Sequence, residues 1–252
     1  MIEIFILSLI QGVTEFLPIS SSSHLIIFSD FLNFKDQSLS IDVSLHIGSF
    51  AAVLTYFHKD IRGLIKNKFL FFKIFISSLP IMIIGYYLVD SGLINKVRNL
   101  ETIAWMTIIF GLLLYFSDKF KLTNQINDNF NYKSAIFIGI FQILALIPGV
   151  SRSGIAITAA RFLNFKRVDS AKISFLISIP ILGAVSIFGL KNLIFLEDDY
   201  LLKLNIISII LSFVFSYITI KFFLLYISKF NLNLFVFYRI LLGIGLLVFS
   251  YS

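Results

Sequence analysis

Glu15 lies three residues before Pro18, His24 directly follows the serines Ser20 to Ser23, and Arg152 stands between Ser151 and Ser153 just after Pro148-Gly149. Each is an ionisable side chain in a strongly apolar neighbourhood. A charged side chain in hydrocarbon costs about 2.5–3.5 kcal/mol even on the mildest scale, so such residues point to function. The run Ser151-Arg152-Ser153-Gly154 has the parts of an anion site. It offers unpaired N–H groups at a helix start, hydroxyl donors, a glycine that lets backbone come close, and a planar guanidinium fork suited to phosphate. Arg152, Ser151, Ser153, Gly154 and Ser22 are therefore the candidate substrate-binding residues. The plainer alternative is that the serines cap a half-helix and Arg152 pairs with Glu15.

Glu15 could hold a hard divalent cation, Mg2+ or Ca2+, act as a base, or neutralise Arg152. It is the residue expected to bind metal. His24 suits nucleophilic or general acid work, because an imidazole titrates near neutrality. The four serines either position phosphate or bond to backbone, and Ser21 is the candidate nucleophile or aligner. Glu15, His24, Arg152 and Ser21 thus form the candidate catalytic set. His46 and Gln142 are secondary candidates for lining a cavity. His58 reads as a loop residue beside Lys59, and Arg239 as a residue that snorkels or pairs structurally.

The elements that must position these groups follow from composition. The 252 residues are 58% apolar and only 14% charged, with a mean hydropathy of +0.94. A soluble chain is about 25% charged. Too little charge is available to cover a soluble exterior, which excludes a cytosolic enzyme, a disordered tail and a nucleic-acid module. The net charge of +7 reads as loop charge that sets topology. The absence of cysteine excludes disulfides, thiolate metal sites and cysteine nucleophiles. The first residues carry Glu3, no basic segment and no small-residue cleavage site, so no removable signal peptide is expected.

Apolar stretches run near 2 to 17, 25 to 34, 41 to 57, 69 to 89, 101 to 117, 134 to 147, 155 to 163, 173 to 190, 201 to 227 and 234 to 251. A helix needs about 20 residues to cross roughly 30 Å of hydrocarbon. The stretches from Ile41, Phe69, Thr102, Ile173, Leu201 and Leu234 come close enough to count as six spans. The other four are too short. Pro18 stops the first of them and Pro148-Gly149 the third, and each break leads through a serine cluster into another short apolar piece. Both pairs read as re-entrant helix hairpins, whose broken backbone is tolerated at depth only inside protein or beside a wet cavity. The expected fold is an all-α polytopic membrane protein of ten helices, six transmembrane and four in two hairpins, forming one domain over 1–252.

The chain also repeats. Pro18 and Pro148 are 130 residues apart, and Phe31-Leu32-Asn33-Phe34-Lys35 recurs as Phe162-Leu163-Asn164-Phe165-Lys166 at a spacing of 131. Halves of about 1–120 and 132–252 would each hold one hairpin and three spans. An odd number of crossings inverts the second half relative to the first, so the hairpins enter from opposite faces. Fourteen basic residues, among them Lys59, Arg62, Lys66 and Arg167, fall on one side; Lys35, Lys96, Arg98, Lys191 and Lys203 fall on the other. The positive-inside rule places the first group in the cytoplasm and both termini outside, with the acidic run Glu197-Asp198-Asp199, and it opens the first hairpin outward.

The run Gln11-Gly12-Val13-Thr14-Glu15-Phe16-Leu17-Pro18-Ile19-Ser20-Ser21-Ser22-Ser23-His24, followed by Pro148-Gly149-Val150-Ser151-Arg152-Ser153-Gly154, resembles the bacitracin-resistance type of undecaprenyl-diphosphate phosphatase. The likeness covers nearly the whole chain. It implies removal of the terminal phosphate from undecaprenyl diphosphate, with a divalent cation, at the outward face of the bacterial inner membrane, regenerating the monophosphate carrier for cell-wall synthesis. It also implies functional roles for Glu15, Ser21, His24 and Arg152. Three positions depart from the common pattern: Gln11 where an acid often stands, Ser23 for a frequent glycine, and Ala156 for a frequent threonine.

In the mechanism these readings share, Arg152, the N–H groups of the second hairpin and a cation held partly by Glu15 stabilise the transferring phosphoryl group. His24 attacks phosphorus or handles the proton, and Ser21 aligns it. Phosphohistidine, phosphoserine and direct attack by water stay open. The partners are the polyprenyl diphosphate lipid and the bilayer, with no nucleic acid, and a homodimer is left open. The rival class is a membrane transporter or flippase of a lipid phosphate or other anion, since broken helices in inverted repeats also serve transport.

Overall fold

The computed structural model describes residues 1–32, 34, 38–66, 68–93, 97–194 and 198–251. Lys35, Lys96 and Glu197 lie outside the described residues, as does Asn33 of the repeated pentapeptide. The side chains of Lys66 and Lys191 also lie outside them.

The helices are α1 (Ile2–Thr14), α2 (Ser21–Leu32), α3 (Leu39–Tyr56), α4 (His58–Lys66), α5 (Lys68–Asp90), α6 (Leu100–Asp118), α7 (Ile126–Asn129), α8 (Tyr132–Ile143), α9 (Arg152–Phe162), α10 (Arg167–Ile194), α11 (Asp199–Lys229) and α12 (Asn233–Tyr251). Six of them, α3, α5, α6, α10, α11 and α12, are long and apolar enough to cross a membrane. These are the six spans expected from hydropathy. Side-chain caps set the starts of two of them: Asn99 accepts from the Thr102 N–H at 2.8 Å at α6, and Asp198 from the Tyr200 N–H at 2.8 Å at α11.

Among the described residues, two α-helices exceed the ten expected. The segment from His58 read as a loop because it is charged, yet it folds as α4. Asp60 on its first turn pairs with Lys172 at 2.5 Å, while Ile61 packs against the main core, so α4 has a polar and an apolar side. The four-residue α7 lies in the polar segment between the two halves of the chain.

α3 packs along α10 and α11, α1 along α11, α5 along α8, and α6 along α12. Small and hydroxyl-bearing residues carry these contacts, as expected where lipid removes the hydrophobic drive between helices. Ser49 bonds to Ser216 at 2.9 Å and Ser44 donates to Asn205 at 2.8 Å across the α3–α11 seam. Gly139 brings α8 against α5, where a Cβ would lie 2.8 Å from the Ser77 oxygen.

Apolar side chains such as Phe222, Phe237 and Ile187 point outward and remain exposed, whereas α9 is buried from Ser153 to Arg161. The outside is thus more apolar than a soluble surface allows, and the chain is a multi-pass membrane protein. At one end of α9, Arg161 is wholly buried and donates to Asp118, which also accepts from Arg167 at 2.8 Å and from the Leu232 N–H at 3.2 Å. This hub ties α6, α9, α10 and the start of α12 together, far along α9 from Arg152.

Candidate active site at the meeting of two turns

α1 ends at Thr14, and the chain turns through Glu15 to Ser20 before α2 starts at Ser21. The α8 helix tightens into a 3-10 turn over Leu144–Leu146, and the chain passes Pro148 and Gly149 before α9 starts at Arg152. Neither proline can donate a backbone N–H, and each α-helix ends short of the boundary the sequence suggests, α1 at Thr14 rather than Leu17 and α8 at Ile143 rather than Ile147. Gly149 has a φ of +97°, and a Cβ there would lie 2.6 Å from the Ile103 oxygen, so the second turn needs glycine on both counts. Ser20 and Ser151 also hold positive φ, a conformation disfavoured for residues other than glycine.

The two turns touch. Arg152 donates through Nη2 to Glu15 Oε1. Ser153 donates its hydroxyl to the Leu17 carbonyl at 2.7 Å. The other Glu15 oxygen, Oε2, accepts from Ser21 Oγ at 2.5 Å and from Gln11 Nε2 at 3.1 Å. Glu15 is 6% exposed, so its charge is stabilised by these donors rather than by water. Ser151 caps α9, accepting from the Gly154 N–H at 3.1 Å.

Glu15, Ser20, Ser21, Ser22, His46, Ala145, Ser151 and Arg152 line a cavity of about 140 Å3. It has room for a phosphate group but not for the hydrocarbon of a lipid. Of the residues singled out in the sequence, Glu15, Ser21, Ser22, Ser151 and Arg152 meet here. Ser153 and Gly154 stand behind them, the first holding the Leu17 carbonyl and the second closing the α9 cap. Ser23, which replaces a common glycine, is on α2 and bonds to Ser20 at 2.9 Å, so the strained backbone position is Ser20 instead.

His24 is not part of the cavity lining. Its Nδ1 lies 2.7 Å from the Ser20 oxygen and its Nε2 lies 2.6 Å from the Tyr238 hydroxyl. A carbonyl only accepts, so Nδ1 carries the proton and Nε2 accepts from Tyr238. The ring is 3% exposed and stacks on Tyr238. The histidine that reaches the cavity is His46 on α3, one of the secondary candidates.

Arg239 is 0% exposed and bonds to carbonyls on three sides: Pro18 at 3.2 Å, Gly149 at 2.7 Å, and Thr107 at 3.1 Å. It therefore braces the first turn, the second turn and α6 together. Sequence suggested snorkelling or pairing for it, and the guanidinium is instead held by backbone oxygens. Tyr238 escaped the sequence reading. Its only signal was adjacency to Arg239 at the start of an apolar span.

Residues 4–245 match the family described as bacitracin resistance protein BacA. The chain belongs to the BacA family. Among its relatives, the protein named undecaprenyl-diphosphatase from Pelagibacter ubique (strain HTCC1062) is 52% identical over 254 residues, covering 100% of this chain and 98% of that protein. Proteins of the same name from Aliivibrio salmonicida (strain LFI1238) and Jannaschia sp. (strain CCS1) are 42% and 36% identical, covering 97% and 99% of this chain and 96% and 98% of their own lengths. A BacA-family match that runs from α1 into α12 takes in both turns and every residue of the cavity.

Proposed function

We propose that this chain hydrolyses the terminal phosphate of undecaprenyl diphosphate, returning the monophosphate carrier to cell-wall synthesis in the bacterial inner membrane. The observation that carries the reading is the Glu15 carboxylate, bound through one oxygen by Arg152 and through the other by Ser21 at 2.5 Å. That arrangement joins an anion receptor, a base and a hydroxyl nucleophile in one cavity.

An incoming terminal phosphate competes with Glu15 for Arg152, whose planar fork matches phosphate oxygens. The freed carboxylate then takes the Ser21 proton as Oγ attacks the terminal phosphorus. The bond from phosphorus to the bridging oxygen breaks, and undecaprenyl phosphate leaves with the proton that Glu15 passes to it. Water attacks the phosphoserine, giving a proton to Glu15. The Oγ–P bond breaks, inorganic phosphate departs, and Ser21 recovers its proton. Arg152 and the N–H groups at the α9 start stabilise negative charge through both steps. His24 fixes the Ser20 carbonyl and, through it, the placement of Ser21. Its two engaged nitrogens favour this supporting role over direct attack.

A divalent cation, Mg2+ or Ca2+, fits this donor set in the mode where few protein ligands join phosphate oxygens and water. Glu15, a carboxylate of the cavity lining, would hold it. Among the described residues there is no group of three His, Asp or Glu to form a closed protein cage. When bound, the cation supplies positive charge against the diphosphate.

The cavity is assigned to the outward face of the membrane, because fourteen basic residues against five mark the opposite face as cytoplasmic. The two hairpins are re-entrant and belong to inverted halves, a reading supported by the matching backbone of Ser20 and Ser151 and by the pairing of α1 with α11 and α8 with α5. The polyprenyl tail lies in an apolar groove of about 450 Å3 between α2 and α12, lined by residues such as Ile27, Phe31, Leu242 and Phe249.

The test is phosphate release from undecaprenyl diphosphate by purified protein in detergent, with no sealed compartment. Stoichiometric release supports the phosphatase. Unchanged substrate would support the transporter or flippase alternative.

A further inference from the structure

We infer that His46 is a substrate-binding residue of this site, presenting its Nε2–H to a phosphate oxygen in the cavity. The inference rests on the phosphatase reading for the identity of the substrate, and on hydrogen-bond geometry for the rest.

Gln11 decides the proton's place. Its Nε2 lies 3.1 Å from Glu15 Oε2 and 3.0 Å from His46 Nδ1. Glu15, paired with Arg152, is a carboxylate and can only accept, so the amide nitrogen rather than the amide oxygen must face it. The second hydrogen of the same amide then points at His46 Nδ1. That atom accepts, and in the neutral imidazole the proton sits on Nε2. Gln11 is fully buried and is not part of the cavity lining, whereas His46 is half-buried and lines it. Nδ1 faces the buried amide, so the opposite edge of the ring, with Nε2–H, is the edge presented to the cavity.

The consequence is a donor fixed before substrate arrives. Arg152 binds the phosphate from the second turn, the Ser22 hydroxyl from the start of α2, and His46 from α3. A preorganised donor on a transferring phosphoryl group stabilises charge without reorganisation. Gln11 acts on substrate only through His46 and Glu15 and is a positioning residue.

Three measurements test this on the full-length protein in detergent: binding of inorganic diphosphate by calorimetry, phosphate release from undecaprenyl diphosphate, and the tautomer of His46 from long-range 1H–15N spectra. His46→Gln places an amide N–H near the position of Nε2, whereas His46→Ala removes the donor. The expected result is a loss of about 10²-fold in turnover for His46→Ala, weaker diphosphate binding, and recovery of most of both by His46→Gln. The parent should show an Nε2–H tautomer, assigned by the resonances that vanish in His46→Gln. Two-fold or smaller effects of His46→Ala on both binding and turnover would overturn the inference, as would equal damage by both variants in folded protein. An Nδ1–H tautomer in the parent would overturn it without any variant having to fold. A parent that releases no phosphate defeats the phosphatase reading, while the binding and tautomer results still decide the role of His46.

Discussion

Ser20 and Ser151, each the residue before the second helix of its hairpin, share a positive φ, 74° and 73°. They are 131 residues apart, the spacing of the repeated pentapeptide. A non-glycine residue in this region costs about 1–2 kcal/mol, and Ser151 recovers part of that by capping α9. Substituting Ser151→Ala keeps the strain and loses the cap, so it should lower stability by about 1 kcal/mol. Ser151→Gly relieves the strain as it loses the cap and should stay within a few tenths of a kcal/mol of the parent. Thermal unfolding of the two variants in detergent checks the order.

Arg239 carries a second expectation. Its guanidinium satisfies carbonyls of Pro18, Gly149 and Thr107 at once, and leaving a buried acceptor unpaired costs about 1–3 kcal/mol each. Arg239→Lys concentrates the donors at one point and cannot span the three sites. It should destabilise the protein by several kcal/mol and lower turnover, measured by denaturant unfolding and phosphate release on the same sample.

His24 should behave as a support. Tyr238→Phe removes the donor on His24 Nε2 while the ring remains stacked, and is expected to lower kcat by less than about 10-fold with KM unchanged. His24→Asn can still donate to the Ser20 carbonyl and should keep more activity than His24→Ala. Equal loss of all activity in both His24 variants, with folded protein, would return His24 to the role of nucleophile.

Asp118 separates stability from chemistry. It accepts from Arg161, Arg167 and the Leu232 N–H at the far end of α9. Asp118→Ala leaves Arg161 buried without its ion-pair partner and should cost about 3–5 kcal/mol. Turnover per folded molecule should remain at the parental value, because nothing in the cavity touches this hub.

The six spans were readable because lipid demands long apolar runs, and the two breaks because Pro18 and Pro148 are each followed by a serine cluster, whereas Pro80 and Pro180 lie in apolar runs that continue as α5 and α10. The pairing of Glu15 with Arg152 is the plainer of two readings the sequence allows, since an arginine in apolar sequence is satisfied either by a carboxylate or by a bound phosphate. Helix phase was not legible. Whether His24 or His46 faces the cavity depends on how α2 and α3 rotate against α12 and α1, which no local pattern records. The same holds for Arg239, whose partners are carbonyls on three separate elements. Charge hid α4, because Lys59, Asp60 and Arg62 read as loop, while Ile61 and the ion pair of Asp60 to Lys172 are visible only in the packed chain.

The meeting of Glu15, Ser21 and Arg152 in one catalytic cavity is tested most directly by phosphate release from undecaprenyl diphosphate, comparing folded parent, Glu15→Gln, Ser21→Ala and Arg152→Ala proteins in detergent. The expected result is one inorganic phosphate per lipid from the parent and losses of about 10³-fold in each variant. Near-parental release from any of the three would contradict it.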